Sequence, residues 1–246
     1  MSKPTFTVSR ASIHDVPRIG EISTRAFDKD THSQMKIMGQ KPGAFAKGMV
    51  MGTRPWIETK RGVLLKATDD SDGTIVGSIA WGFRGIELDA SQGDDRDGAK
   101  EESGNTEEDV SDGEEAEPIS GEDRIKELEA MTSKHLSDFS DRIMPEGTKC
   151  MYIGGVSVDA KYEGLGIGSQ LIRWGTEQAD RHGVFCWVHS SEAGRHLFEK
   201  NGFKEADRLT INMDEWAVGP PPKNGVFRDR EKWGEYTFRY MVRQPM

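Results

Sequence analysis

The chain has 246 residues, with 33 Lys and Arg against 42 Asp and Glu, a formal net charge of −9. Fifteen acidic and two basic side chains, Arg96 and Lys100, fall within residues 89–123, so that stretch carries −13 and the remaining 211 residues carry +4. No apolar run approaches the ~18 residues of a membrane-spanning helix, no apolar leader follows Met1, and Cys150 and Cys186 are too few for a disulfide framework or a four-thiolate zinc site.

These exclusions leave a soluble protein of a reducing compartment, cytoplasm or nucleus, with no membrane or nucleic-acid partner. Residues 5–11 alternate, with Phe6 and Val8 on one face of a first strand. Asp15, Val16 and Pro17 open a helix with a capping side chain and a first-turn proline, and Ile19, Ile22, Ala26 and Phe27 keep its spacing. Residues 33–49, rich in Met and interrupted by Pro42 and Gly43, read as a broken second helix. Residues 62–68 and 74–83, joined by Asp69-Asp70-Ser71-Asp72-Gly73, form a hairpin. The acidic stretch then intervenes. It holds too few apolar side chains to offset its ordering entropy, so residues 89–121 are expected to be a disordered insertion within one domain spanning 1–246.

Ile125, Leu128, Met131, His135, Leu136 and Phe139 restore a helical stripe. Residues 149–158 read as a strand, followed by a helix with Ile167, Leu171, Trp174, Gly175 and Ala179 inward. Val184–Val188 is a short, fully apolar strand of buried type. A helix over 192–200 stops at Asn201-Gly202. Strands at 203–211 and 236–243 close the chain, joined by a loop with Pro220, Pro221 and Pro222. The order βααββ, insertion, αβαβαββ predicts an α/β domain with a mixed sheet.

Val156-Ser157-Val158-Asp159-Ala160-Lys161-Tyr162-Glu163-Gly164-Leu165-Gly166-Ile167-Gly168-Ser169 carries the chemistry. Three glycines at alternate positions between a strand and a helix leave backbone N–H groups free to line an anion site at the helix N-terminus. A tight strand-to-helix turn is the other reading of the same spacing. The pattern is neither Gly-x-Gly-x-x-Gly nor a phosphate loop ending in Gly-Lys-Ser/Thr.

Val158-x-x-x-Tyr162-x-Gly164-x-Gly166-Ile167-Gly168 resembles the pyrophosphate-binding motif of the GNAT superfamily of acyl-CoA N-acetyltransferases. Ser191-Glu192-Ala193-Gly194-Arg195-His196-Leu197-Phe198-Glu199-Lys200-Asn201-Gly202-Phe203 is similar to the helix and strand start that follow it there. Trp174-Gly175-x-x-x-Ala179-Asp180 resembles a fungal branch of small GNAT-like proteins. The resemblance implies a GNAT-like fold and direct acetyl transfer from acetyl-CoA, without a metal, to a primary amine of a small molecule. It also implies that Val156, Ser157 and Val158 pair with the thioester arm. Amides of Gly164, Leu165, Gly166, Ile167, Gly168 and Ser169 hold the pyrophosphate, next to Glu163, whose carboxylate is unfavourable there unless it points to solvent. Two positions depart from the family pattern: Glu163 replaces Gln or Arg, and Phe198 replaces a tyrosine acid at the cofactor. Protein lysine or N-terminal acetylation, or a catalytically weak acyl-CoA-binding regulator, are the alternatives. A monomer or homodimer fits either.

His189 ends the short apolar strand, where open α/β sheets place their crevice, so it is either a general base or a packed histidine. Glu192 and Tyr152 are the further candidate bases. Cys150 and Cys186 fall on neighbouring strands and read as buried thiols. His14, His32, His135, His182 and His196 show no metal-ligand spacing. Trp56, Trp81 and Phe83 are either cleft or core. The same holds for Met35, Met38, Met49 and Met51.

Overall fold

The structure, a computed structural model, describes residues 4–59, 62–88 and 121–246. The insertion read at 89–121 lies outside them apart from Gly121, which opens a helix, and its place in the chain is between the third and fourth strands. Strands β1 (Phe6–Arg10), β2 (Gly62–Asp69), β3 (Ile75–Arg84), β4 (Cys150–Val158), β5 (Phe185–Ser190), β6 (Lys204–Asn212) and β7 (Glu235–Arg243) form one sheet in the order β1-β2-β3-β4-β5-β7-β6. The β4–β5 pair is parallel and every other pair is antiparallel.

The β2–β3 turn forms because its aspartates satisfy the backbone locally: the Asp69 carboxylate accepts from the Ser71 N–H at 2.9 Å, and that of Asp72 accepts from the Thr74 N–H at 2.9 Å. Gly73 supplies the positive φ of 76° that a side chain resists. The expected α/β fold with a mixed sheet is thus the observed one.

Helices α1 (Val16–Ala26), α2 (Thr31–Met38), α3 (Ala44–Thr53), α4 (Pro55–Glu58) and α5 (Gly121–Ile143) cover one face of the sheet, and α6 (Ile167–His182) and α7 (Arg195–Lys200) cover the other. The break predicted in the Met-rich stretch occurs at Gly43, whose φ of 80° starts α3 after the α2 turn. The Asp15 side chain does not cap α1 as its position suggests. It accepts from the Ser12 N–H at 2.7 Å and pairs with Lys66 at 2.8 Å, because the 3-10 turn at Ile13–Asp15 uses the carboxylate first.

The alternation of each strand assigns its side chains to these two layers. Val63, Leu65, Ile79, Trp81, Met151, Ile153, Cys186 and Val188 pack under α6 and α7. Leu64, Ala80, Tyr152, Trp187 and Tyr240 face α1 and α5. The Trp-Gly-x-x-x-Ala-Asp segment has a packing explanation. A Cβ at Gly175 would fall inside the Trp81 indole, and Ala179 is buried in the same cluster. Asp180 holds the buried Arg243 guanidinium through two hydrogen bonds of 2.8 Å. Asp180→Ala would strand that cation, so unfolding free energy should fall by about 3 kcal/mol in urea titrations at pH 7. A change under about 1 kcal/mol would show that Arg243 finds other partners.

Candidate acyl-CoA and acceptor site

The sheet opens at its centre. β4 pairs with β5 only from Cys150↔Phe185 to Ile153↔Val188. Beyond that point β4 stays with β3, through Gly155↔Ala80 to Val158↔Gly77, while β5 stays with β7, through His189↔Tyr240 and Ser190↔Arg239. A register shift opposite Ala80 and Trp81 skips Gly154 and bends β4 at the split. A Cβ on Gly154 would overlap the Trp56 indole, so glycine here is what lets α4 close on the bend. Among the described residues no strand covers the β5-facing edge of residues 154–158. It therefore offers main-chain donors and acceptors to an extended group laid in the split.

The glycine loop stands at the end of that edge. The Asp159 carboxylate accepts from the Lys161 N–H at 3.1 Å and binds Arg18 of α1 at 2.8 Å, which fixes the turn at 160–162. Gly164 and Gly166 then take φ values of 79° and 86°. Gly166 caps α6 without a side-chain bond, and Gln170 is the first residue whose N–H reaches back to the Gly166 carbonyl. The N–H groups of Gly166, Ile167, Gly168 and Ser169 find no backbone partner among the described residues. The space around Gly164 and Gly166 is open. Orphan donors at the positive end of a 16-residue helix, with open space before them, fit a pyrophosphate.

Glu163, the unfavourable charge in this motif, points outward with its side chain 58% exposed, 3.8 Å from the Lys29 ammonium. The pair keeps that carboxylate in solvent rather than on the anion site. Ser169 accepts from the Asn201 side-chain amide at 3.1 Å, tying α6 to the end of α7. Phe198 is 3% exposed and packs edge-on against Phe203 at 5.6 Å in the main core. It offers no proton to anything.

On the far side of the split lies a polar cluster that the sequence did not reveal. The ring of His189 stacks on Tyr240 at 4.8 Å and meets Phe238 at 4.8 Å, while His32 of α2 meets the same Phe238 at 4.9 Å. Both histidines have a buried Nε2 without a hydrogen-bond partner. Tyr236 donates its hydroxyl proton to Asp30 at 2.6 Å, and Asp30 also accepts from the Ser33 N–H and hydroxyl. His135 of α5 shares a 2.9 Å hydrogen bond with the Tyr240 hydroxyl. Burial, reinforced by the nearby Lys36, pushes the His32 pKa down to about 4; burial, with His135 adding to it, does the same for His189. Asp30 and His32 could have been suspected from sequence only as a helix cap and a lone histidine. Their pairing with β7 is a matter of tertiary contact.

The other candidates disperse. Tyr152 lies between Trp56 at 6.1 Å and Trp187 at 5.8 Å, on the α5 face. Glu192 is exposed at the mouth, 3.8 Å from Arg239. Cys150 and Cys186 face opposite layers, and burial raises their pKa values to about 11 and about 12, so neither is a ready nucleophile. Trp81 is core, and of the four methionines Met35 is buried while Met51 is exposed. Among the described residues no group of His, Cys, Asp and Glu is arranged to hold a metal ion, and no helix is long and apolar enough to cross a membrane.

Residues 132–203 match the family model described as the acetyltransferase (GNAT) family. The segment runs from α5 through the split strands and the glycine loop to the end of α7. Solved structures share the whole architecture at low identity. One from Corynebacterium glutamicum, described as histone acetyltransferase HPA2 and related acetyltransferase, is 16% identical with a TM-score of 0.52, over 100% of this chain and 98% of that one. A putative arylalkylamine N-acetyltransferase of the yellow fever mosquito is 15% identical with a TM-score of 0.56, over 97% and 87%. An agmatine N-acetyltransferase in its apo form is 10% identical with a TM-score of 0.55, over 97% and 99%. No curated protein matches the chain in sequence. The matched segment is similar to the acetyltransferase (GNAT) family, and the solved structures share the fold of the whole chain.

Proposed function

We propose that the protein transfers an acyl group, acetyl in the simplest case, directly from acyl-CoA to the primary amine of a small molecule. The observation that carries this reading is the split between β4 and β5, which ends on the glycine-bent N-terminus of α6. Acyl-CoA, when bound, supplies the electrophilic thioester carbonyl. The chain's own groups do the rest. Amides of residues 166–169 hold the pyrophosphate, and the free edge of Val156–Val158 orients the thioester arm like an added strand. His189, directly after the last β4–β5 pair, takes the amine proton through its unpartnered Nε2. Its imidazole is neutral at any pH above about 4, which leaves the ring nitrogen's lone pair free though weakly basic. The nitrogen–carbon bond forms, the carbon–sulfur bond breaks, and the thiolate takes its proton from solvent, since Phe198 has none to give.

A small acceptor suits this side of the split because His32 of α2 closes over Tyr236 and Phe238, beside His189, and leaves no open groove along them. The test is release of free thiol from acetyl-CoA across small amines and peptides. Turnover on small amines, with His189→Gln lowering kcat about a hundredfold while the CoA-induced rise in Tm persists, is the expected result. Turnover on peptides alone would favour the protein-acceptor reading. Silence with both, despite CoA binding, would favour a regulatory acyl-CoA binder.

A further inference from the structure

Helices α1 and α3 and strand β4 line a half-open cleft of about 250 Å³ that reaches Gly154, Gly155, Val156 and Ser157, immediately past the split. Ile19, Phe27, Met49, Trp56, Leu64 and Ala80 make its walls. None of its lining side chains is charged, and Thr53, one of its few hydroxyls, already donates to the Met49 carbonyl at 2.7 Å. The titratable groups of the site, His32, Asp30, His189 and Tyr236, belong to the other side of the split and line no part of the cleft. An ammonium placed in the cleft would give up part of its hydration shell and gain no counter-charge. An uncharged chain entering it would bury apolar surface at no such penalty. Space is available: a Cβ on Gly48, Gly52 or Gly155 would have no heavy atom within 4 Å.

We infer that this cleft receives the acyl chain, and that the protein binds acyl-CoA with chains longer than acetyl, butyryl-CoA above acetyl-CoA. The inference rests on the acyl-CoA reading above and narrows its donor. The two sides of the split then divide the chemistry, the chain entering the apolar cleft under α3 and the amine meeting the histidine side.

The experiment is a binding series by calorimetry and thermal shift with CoA, acetyl-CoA, propionyl-CoA and butyryl-CoA on the full chain. Each buried methylene should tighten binding about fourfold, so butyryl-CoA should bind about fifteenfold more tightly than acetyl-CoA. Gly52→Leu, which projects a side chain into the cleft, should bring the butyryl-to-acetyl ratio down to about one. Met49→Ala, which widens it, should raise the ratio, so one variant's misfolding leaves the other as the check. Binding of CoA with a ratio of one or less in the native protein would overturn the acyl-chain inference alone. No binding of CoA would overturn the acyl-CoA reading and the inference with it.

Discussion

Gly166→Val is expected to weaken CoA binding about a hundredfold while leaving the sheet and both helical layers in place. Gly166 sits at φ 86° and ψ 4° as the cap of α6. A side chain in this left-handed region costs about 1–2 kcal/mol, and a β-branched one is the worst case. The backbone can escape that strain only by rotating, and rotation turns the amides of Gly166 and Ile167 away from the anion. Hydrogen bonds to a charged group contribute about 1.5–3 kcal/mol each, so misdirecting one or two accounts for the hundredfold. No core contact is lost, because nothing lies within 4 Å of a Cβ at this position. Calorimetric titration with CoA is the check, and an affinity within threefold of the native protein would mean that the pyrophosphate is held elsewhere.

The second large effect is loss of stability in mild acid. His32 and His189 have pKa values of about 4 in the folded protein against the usual 6.5. Between those values the unfolded chain takes up protons that the native state refuses, so the unfolding free energy falls as pH drops from about 6.5 toward 4. Each histidine contributes on the order of 3 kcal/mol over that window. The groups around His32 are Lys36, Asp30, Glu129 and His189, and His135 stands beside His189. The carboxylates held below their ordinary values, Asp15 and Asp180 among them, act mainly below about pH 5 and overlap only the lower end of this window. Urea unfolding measured from pH 7.5 to pH 4 should show the slope. His32→Gln and His189→Gln should each remove about half of it; an unchanged slope in both would place the acid sensitivity elsewhere. The same depressed pKa predicts activity without a histidine inflection near 6.5.

These two effects were not equally visible in the sequence. The glycine loop was, because its function depends on residue type at consecutive positions: only glycine tolerates the left-handed turns, and the spacing from strand to helix is local. The acid-sensitive pair was not. His189 stands out in the sequence for its place at a strand end, but His32 is one histidine among several, and Tyr236 one tyrosine on a closing strand. Their shared contact with Phe238 exists only because β7 inserts between β5 and β6 and α2 folds over it. Likewise the branch-like Trp-Gly-x-x-x-Ala-Asp segment looked like a family mark, yet each of its last three named residues is explained by what it packs against or binds.

The sequence by itself determined the order of the strands, the hairpin turn, the glycine loop between strand and helix, and the separation of a −13 stretch from a +4 body. All of these follow from local periodicity, backbone preference and composition. Only the tertiary structure decided where β4 parts from β5, that Gly154 yields its space to Trp56, that Phe198 belongs to the core, and that an uncharged cleft faces a histidine cluster across the split. The physical reason is that such features depend on strand neighbours and register, which pack residues far apart in the chain against one another and which no local pattern encodes.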